Sequence, residues 1–275
     1  MQGRTHAGIK IIRPIREGVV ADFTATTALI QYYVKELSTK SFTSLKPLIV
    51  ISIPTHLTSV ERRAVMDAAL QAGAKEAVVV EDTFASAVGA GLPVWEPTGS
   101  MIVDIGGGTT EVAIISLGGV VASNSIKIGG DEMDFLIIKH VKSKHQLLIG
   151  ESTAEEIKNN IFNEEQNGKM FVRGRNVVTG LPVKVELTAT EIEGVLKEAV
   201  DQIITAIKQT LELTPPELAG DIIERGLFLT GGVALLPGLE KKISNATKLP
   251  VILAENPLEN VARGTAKIIE EGKFK

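Results

Sequence analysis

Residues 100–119, SMIVDIGGGTTEVAIISLGG, limit the possible folds of this chain more than any other segment. Two apolar runs flank an acidic residue, three glycines and two threonines. This pattern predicts two buried strands joined by a turn of nearly bare backbone. The amides of Gly106, Gly107 and Gly108 can point into one concavity that suits phosphate oxygens, and Asp104 offers a carboxylate to a magnesium ion on those phosphates. A bare glycine run also occurs in ordinary hairpins, but the whole DIGGGTTE motif is more specific.

A second glycine turn occurs in residues 227–243, LFLTGGVALLPGLEKKI, which predict a strand, a Gly-Gly turn and a helix. Gly231 and Gly232 have no Cβ, so their backbone can approach a flat ligand closely. The start of the following helix favours electron-rich groups. Alone, this segment is equally typical of a tight loop between a strand and a helix. Together the two turns predict a nucleotide site, with phosphates at the first and the base at the second.

The rest of the pattern predicts an α/β fold. A strand at 48–53, a helix capped by Thr58 and Glu61 and ended by Gly73, and a strand at 77–80 indicate a parallel crossover. Residues 81–91 predict a helix of small residues that can pack closely against another element. The other predicted elements are helices at 19–37, 131–146, 153–162, 190–213, 237–247 and 257–271, and strands at 120–128, 171–178, 181–188, 226–229 and 250–253.

Composition excludes several classes of site. The 275-residue chain has no cysteine, which excludes disulfides and thiolate metal sites, and its net charge of −4 gives no sign of a nucleic-acid partner. No apolar run reaches membrane-spanning length. His140 and His145 lie five residues apart, a spacing that does not place two imidazoles on one helical face. We therefore expect both histidines to be exposed helix residues.

Long ordered stretches resemble the MreB family of bacterial actins, from the first residue to about residue 271. They include IRPIREGVVADF, TSVERRAVMDAALQAGA, GGDEMD, LLIGESTAEEIK and LTGGVALLPGL, besides the two glycine motifs. The resemblance implies an actin-like α/β fold, shared with sugar kinases and chaperone ATPases, in which two domains flank a cleft for ATP and Mg²⁺. It assigns residues 1–97 to the remainder of domain I and 98–275 to domain II. Within domain II, 98–135 and 190–275 form the core subdomain, 136–189 form an inserted subdomain, and the C-terminal helix packs back toward domain I.

The resemblance also implies roles for single residues. Gly106, Gly107, Gly108 and Thr109 hold the β- and γ-phosphates, and Asp104 holds Mg²⁺ through water. The remaining nucleotide-binding residues are Glu155, Glu156, Lys158, Gly231, Gly232, Val233 and Ala234. The spacing of Glu155 and Lys158 puts both on one helical face toward ribose and adenine, although a solvated surface ion pair has the same spacing.

Catalysis is implied for Asp82 and Thr109, which would position the attacking water. Asp82 stands where the family usually has glutamate, and a carboxylate shorter by one methylene implies slower hydrolysis. Val233 stands where the family usually has a third glycine, and its Cβ can crowd the base.

The family's first strand and its DLGT-like phosphate turn have no counterpart before Thr5. We therefore expect domain I to be incomplete at its N-terminus, with the natural protein starting upstream or the chain being a fragment. The alternative is a truncated, nucleotide-independent paralogue that caps or modulates filaments of full-length relatives.

The function implied is that of an ATP-binding actin homologue that organises cell-wall synthesis and maintains rod shape. Its expected partners are its own copies in antiparallel double filaments, the inner face of the cell membrane and membrane proteins of cell-wall elongation. Residues 40–46 match the family's membrane loop, in which Phe42 and Leu45 would enter the bilayer interface, or else pack on their own domain. A metabolic kinase on the same fold would need a base for an acceptor hydroxyl, and the sequence shows no such constellation.

Overall fold

The computed structural model of the chain describes residues 8–9, 11–16, 18–38, 46–163 and 167–273. The strands are β1 (Ile15–Arg16), β2 (Val19–Val20), β3 (Leu48–Ile53), β4 (Glu76–Glu81), β5 (Ser100–Ile105), β6 (Thr110–Ser116), β7 (Gly119–Ile126), β8 (Leu147–Leu148), β9 (Lys169–Asn176), β10 (Pro182–Thr188), β11 (Leu227–Thr230) and β12 (Val251–Leu253). The helices are α1 (Phe23–Ser38), α2 (Ser59–Gln71), α3 (Asp82–Gly89), α4 (Gly130–His145), α5 (Glu151–Asn160), α6 (Ala189–Glu212), α7 (Pro216–Arg225), α8 (Leu239–Thr247) and α9 (Asn260–Glu270), with a 3-10 helix at Gly232–Leu235.

The largest sheet has five strands in the order β12-β11-β5-β6-β7. Strand β11 runs parallel to both β12 and β5, whereas β5, β6 and β7 are antiparallel neighbours. Because side chains alternate across a strand, β5 contributes to two cores. Met101 and Val103 lie in the core that includes α4 and α6, and Ile102 lies in the core that includes α3 and α9. Helices on both faces explain why the apolar runs on either side of the glycine turn are nearly continuous.

A smaller sheet, β3 and β4, is parallel and has two strands. Helix α2 connects them and begins with the predicted capping box. The side chain of Thr58 accepts a hydrogen bond from the Glu61 amide, and the Glu61 carboxylate accepts one from the Thr58 amide. These predictions are confirmed. Most side chains of β3 and β4 are only half-buried, in contrast to β5 and β6.

Helices α3 and α9 pack at very short range. Each supplies a glycine at the crossing: a Cβ on Gly89 would overlap the carbonyl oxygen of Asn260, and a Cβ on Gly264 would overlap that of Ala85. The prediction that residues 81–91 form a helix of small residues suited to close packing is confirmed. This contact joins the C-terminal helix to the helix that follows the β3–β4 sheet.

A third sheet has the order β10-β9-β8 and lies, together with α5, between α4 and α6 in the chain. Neither β8 nor α7 was predicted from the sequence. Pro216 occupies the first turn of α7, where proline is well tolerated. The helix predicted from residue 19 begins at Phe23 instead, because Val19 and Val20 pair with β1.

The α3–α9 crossing gives a prediction for stability. We expect Gly264→Ala to lower the free energy of unfolding by about 3 kcal/mol or more, because the added methyl meets backbone that cannot move aside. The matched control is Gly194→Ala in α6, where a Cβ meets nothing within 4 Å. Chemical denaturation of both variants measures the difference. Equal stability of the two variants would contradict the assigned packing.

Candidate functional site

The two glycine turns lie side by side. Strands β5 and β11 are parallel neighbours with Asp104 opposite Thr230, so both turns leave the same edge of the sheet. Gly231 has a positive φ of 86°, and a Cβ there would lie 2.6 Å from Asp104 Oδ1. Only glycine therefore allows the second turn to pass this close to the acid that precedes the first turn.

The first turn is fixed to the start of α4 through its carbonyl groups. The Gly130 amide donates to the Gly106 oxygen at 3.0 Å, and the Asp131 amide donates to the Gly107 oxygen at 2.8 Å. A Cβ at Gly129 would lie 2.6 Å from both of these oxygens. The GGDEMD stretch thus holds the glycine turn in place as well as beginning a helix.

A cavity of about 690 Å³ opens between the two turns and α5. Its volume lies in the usual range for small-molecule sites. One part of the wall is acidic, and another part is apolar, formed by Val233, Leu258 and Val261 with their neighbours. The predicted nucleotide and magnesium residues that line it are Asp104, Gly106, Gly107, Glu155, Lys158, Gly231, Gly232 and Val233. The wall does not include Asp82, Gly108, Thr109, Glu156 or Ala234, of which Glu156 is exposed and Ala234 is buried.

Lys158 links α5 to α4 at the back of the cavity. Its Nζ lies 2.9 Å from Asp134 Oδ1 and donates to the Gly130 oxygen at 2.9 Å. Lys158 is 7% exposed, so the alternative of a solvated surface pair with Glu155 is wrong. Burial raises the pKa of Asp134, and Lys158 opposes that rise. Asp134 was not among the predicted site residues, although it is the last residue of the GGDEMD stretch.

Three carboxyl groups, those of Asp82, Asp104 and Glu111, influence one another beside the first turn. Burial, together with the charge of Asp82, raises the pKa of Asp104 to about 7 and that of Glu111 to about 8. Burial also raises the pKa of Asp82, against a hydrogen bond with Ser52. Ionised carboxylates that influence one another repel, and Asp104, which lines the cavity, offers the kind of oxygen donor that Mg²⁺ prefers. The Asp104 side of the cavity therefore fits a magnesium ion.

Glu111 was not among the predicted site residues, although it closes the DIGGGTTE motif. It is 3% exposed, and its carboxylate accepts hydrogen bonds from the amide and hydroxyl of Thr55. In the β5–β6 hairpin it is the direct cross-strand partner of Asp104. Like charges in that position destabilise a sheet, so the pairing itself signals a functional role.

The prediction that His140 and His145 are exposed is wrong. Their side chains are 26% and 19% exposed, and both reach the carboxylate of Glu191. Helical spacing predicts contacts only between residues of one helix, whereas these two histidines both contact Glu191, which belongs to α6. Helix α4 ends at His145, and Gln146 adopts a left-handed conformation with φ of 52°.

The predicted membrane residues Phe42 and Leu45 lie outside the described residues. None of the described helices combines the length and the apolar character needed to cross a bilayer.

The family model described as MreB/Mbl protein matches residues 1–274. The cell shape-determining protein Mbl of Bacillus subtilis is 44% identical over 98% of this chain and 82% of its own length. The cell shape-determining protein MreB of Escherichia coli K12 is 47% identical over 98% and 79%.

Solved structures agree on the fold. MreB5 of Spiroplasma citri, in crystals bound to AMPPNP and to ADP, superimposes with TM-scores of 0.90 and 0.92 at 34% and 35% identity, over 98% of this chain and 82% of that one. A MamK double helical filament superimposes with a TM-score of 0.79 at 19% identity, over 94% of this chain and 80% of that one. The predicted actin-like α/β fold is confirmed.

The acid cluster gives a prediction for pH dependence. In metal-free buffer, stability should fall as pH rises from about 4.5 to about 8, because the unfolded chain loses the Glu111 proton more easily than the folded one. Glu111→Gln should reduce this fall by roughly 1–3 kcal/mol. Denaturation at a series of pH values measures it. The exposed Glu198→Gln should follow the wild type, and an unchanged slope in Glu111→Gln would refute the coupling.

Proposed function

Because the chain belongs to the MreB/Mbl family of cell shape-determining actin homologues, we propose that it binds ATP with Mg²⁺ and forms filaments on the inner face of the cell membrane. These filaments would organise cell-wall synthesis and maintain rod shape. The observation that carries the nucleotide part is the convergence of two glycine turns on one cavity with an acidic and an apolar wall.

Different parts of the cavity wall suit the phosphates, the purine and the ribose of a nucleotide. Gly106 and Gly107 present backbone without side chains, so phosphate oxygens can approach their turn. The apolar wall at Val233 and Leu258 suits the faces of a purine ring. Exposed Glu155, which also lines the cavity, suits the ribose hydroxyls. The nucleotide-bound crystals of Spiroplasma citri MreB5 support the same class of ligand.

The charge of the cavity explains why the metal is part of the proposal. Of the residues that the structure describes, four carboxyl residues line it, Asp104, Asp131, Asp134 and Glu155, and the lining cation is Lys158, already paired with Asp134. A polyphosphate alone would be repelled by such a wall. Mg²⁺, when bound, would supply positive charge beside Asp104 and so would offset the repulsion between phosphates and carboxylates.

Hydrolysis would be slow and would involve Asp82 and Thr109. We assign them to the orientation of the attacking water, since Asp82 begins α3 and belongs to the acid cluster, and Thr109 lies in the first turn. The Gly106 amide donates to the Thr109 oxygen at 2.9 Å, which fixes that end of the turn. Fixed geometry matters because in-line attack tolerates displacements of only about 1 Å.

The domain division belongs to the proposal as well. Residues 1–97 would form the remainder of domain I, and residues 98–275 would form domain II with an inserted subdomain at 136–189. The close contact of α3 with α9 supports a fixed point of connection between the two domains. Rotation of the domains about this contact would let the nucleotide state influence assembly. The MamK double helical filament supports self-association of the fold.

The first test is nucleotide binding by the chain itself. Gly107→Val should weaken Mg²⁺–ATP binding at least tenfold, because its side chain would enter the cavity, while the fold stays intact since a Cβ there meets nothing closer than 4.0 Å. Titration calorimetry with and without EDTA measures the affinity, and sedimentation measures assembly. Gly194→Ala is the control for a glycine away from the cavity.

Two outcomes bear on the alternative. Loss of ATP binding on chelation and in Gly107→Val, with loss of sedimentation, supports the proposal. Sedimentation of the wild type that is independent of ATP, with no heat of binding, would favour a nucleotide-independent paralogue instead.

The membrane part is tested separately. Replacing Phe42 and Leu45 together by serine should release assembled filaments from liposomes, because these apolar side chains are the predicted interfacial anchors. Co-sedimentation with lipid vesicles measures the bound fraction. The control replaces exposed Leu181 and Leu213, which do not line the cavity, by serine. Unchanged pelleting of the first variant would exclude the loop as the anchor.

A further inference from the structure

A compact group of donors lies outside the nucleotide cavity, where α4 ends and α6 begins. Among the described residues, His140, His145 and Glu191 place one ligand atom each within 4.8 Å of one another. His140 Nε2 lies 2.6 Å and His145 Nε2 lies 2.7 Å from the same oxygen, Glu191 Oε1. Two imidazole nitrogens therefore point at one carboxylate oxygen from two turns of the same helix.

The three side chains are held in place by the backbone around them. Glu191 is the third residue of α6, and its amide donates to the side chain of Thr188, which caps the helix. His145 is the last residue of α4 before the left-handed Gln146. The Glu191 side chain is 11% exposed, so its oxygens cannot be solvated freely. Such preorganisation lowers the cost of binding an ion.

The carboxylate is ionised at neutral pH. Burial alone would raise the pKa of Glu191, but hydrogen bonds from the two histidines and from Lys144 outweigh it and hold the pKa at about 2. Metal ligands must be deprotonated carboxylates and neutral imidazoles. The group therefore offers its carboxylate in the form that a metal ion requires.

We propose that His140, His145 and Glu191 form a site for a zinc-class divalent transition ion. Two imidazoles and one carboxylate are a recognised ligand set for Zn²⁺, and they leave a fourth position for water. Ligands about 2.0–2.1 Å from a tetrahedral ion lie about 3.3 Å apart. The present separations of 2.6 and 2.7 Å would need to widen by roughly 0.7 Å, which side-chain rotation provides.

Lys144 is the competitor for this position. Its Nζ lies 3.2 Å from Glu191 Oε1, so it supplies positive charge where the ion would bind. Its side chain is 56% exposed and can turn into solvent when an ion enters. Removing this charge should therefore tighten metal binding. A purely structural hydrogen-bond cluster does not predict an effect in this direction.

The site has a mechanical meaning in the fold. Strand β8 begins at Leu147, directly after α4, and β10 ends at Thr188, directly before α6. The chain between these points contains the three-stranded sheet and α5. A metal ion would thus connect the end of α4, where the chain enters this segment, to the start of α6, where the chain leaves it. This connection would make the two ends of the segment more rigid.

The experiment titrates the untagged full chain with ZnCl₂ in excess Mg²⁺, which occupies oxygen-only sites. We expect one equivalent bound with micromolar or tighter affinity, and visible ligand-field absorption of a tetrahedral ion when Co²⁺ is used instead. His140→Gln and His145→Gln should each weaken binding at least about tenfold. His56→Gln removes an exposed histidine outside the group and is the matched control.

A second pair of variants keeps the test valid if the histidine variants fold poorly. Lys144→Met should bind Zn²⁺ several-fold more tightly than Lys142→Met, which removes another exposed lysine of α4. Absence of zinc binding by the wild type, equal loss in His56→Gln and His145→Gln, or no difference between the two lysine variants would each overturn the proposal.

Discussion

The parallel pairing of β11 with β5 is the constraint on which the rest of this structure depends. It sets Thr230 opposite Asp104, so the two glycine turns leave one edge of one sheet. Gly231 can then pass against Asp104, and the first turn is fixed to α4 by hydrogen bonds to its carbonyl oxygens. A slip of one residue in this pairing would separate the turns and reverse the faces of every β11 side chain. The cavity therefore follows from the register of two strands rather than from any one motif.

The register of the neighbouring β5–β6 hairpin creates an electrostatic conflict. Asp104 and Glu111 face each other across the β5–β6 hairpin, and Asp82 adds its charge from the start of α3. Burial makes the conflict worse because it disfavours the charged forms. A fold selected only for stability would avoid such an arrangement, whereas a site that receives a divalent cation uses it.

The sequence predicted most of the fold, since apolar periodicity and caps are local signals. The capping box of Thr58, the glycine hairpin and the close-packing helix at 81–91 all appear in the structure. What could not be predicted depends on distant partners. Lys158 is buried because it pairs with Asp134 and donates a hydrogen bond to the Gly130 oxygen. His145 is partly buried because it contacts Glu191 of α6. Of the predicted ligand residues, Gly106, Gly107 and residues 231–233 of the two turns line the cavity, whereas exposed Glu156 and buried Ala234 do not.

The central claim is that both glycine turns bind the same Mg²⁺–nucleotide. Hydrogen–deuterium exchange of the chain with and without Mg²⁺–AMPPNP tests it most directly, because it reports the amides themselves. The account predicts simultaneous protection of residues 106–109 and 231–233, abolished by EDTA. Protection of only one turn, or protection confined to other parts of the chain, would contradict it.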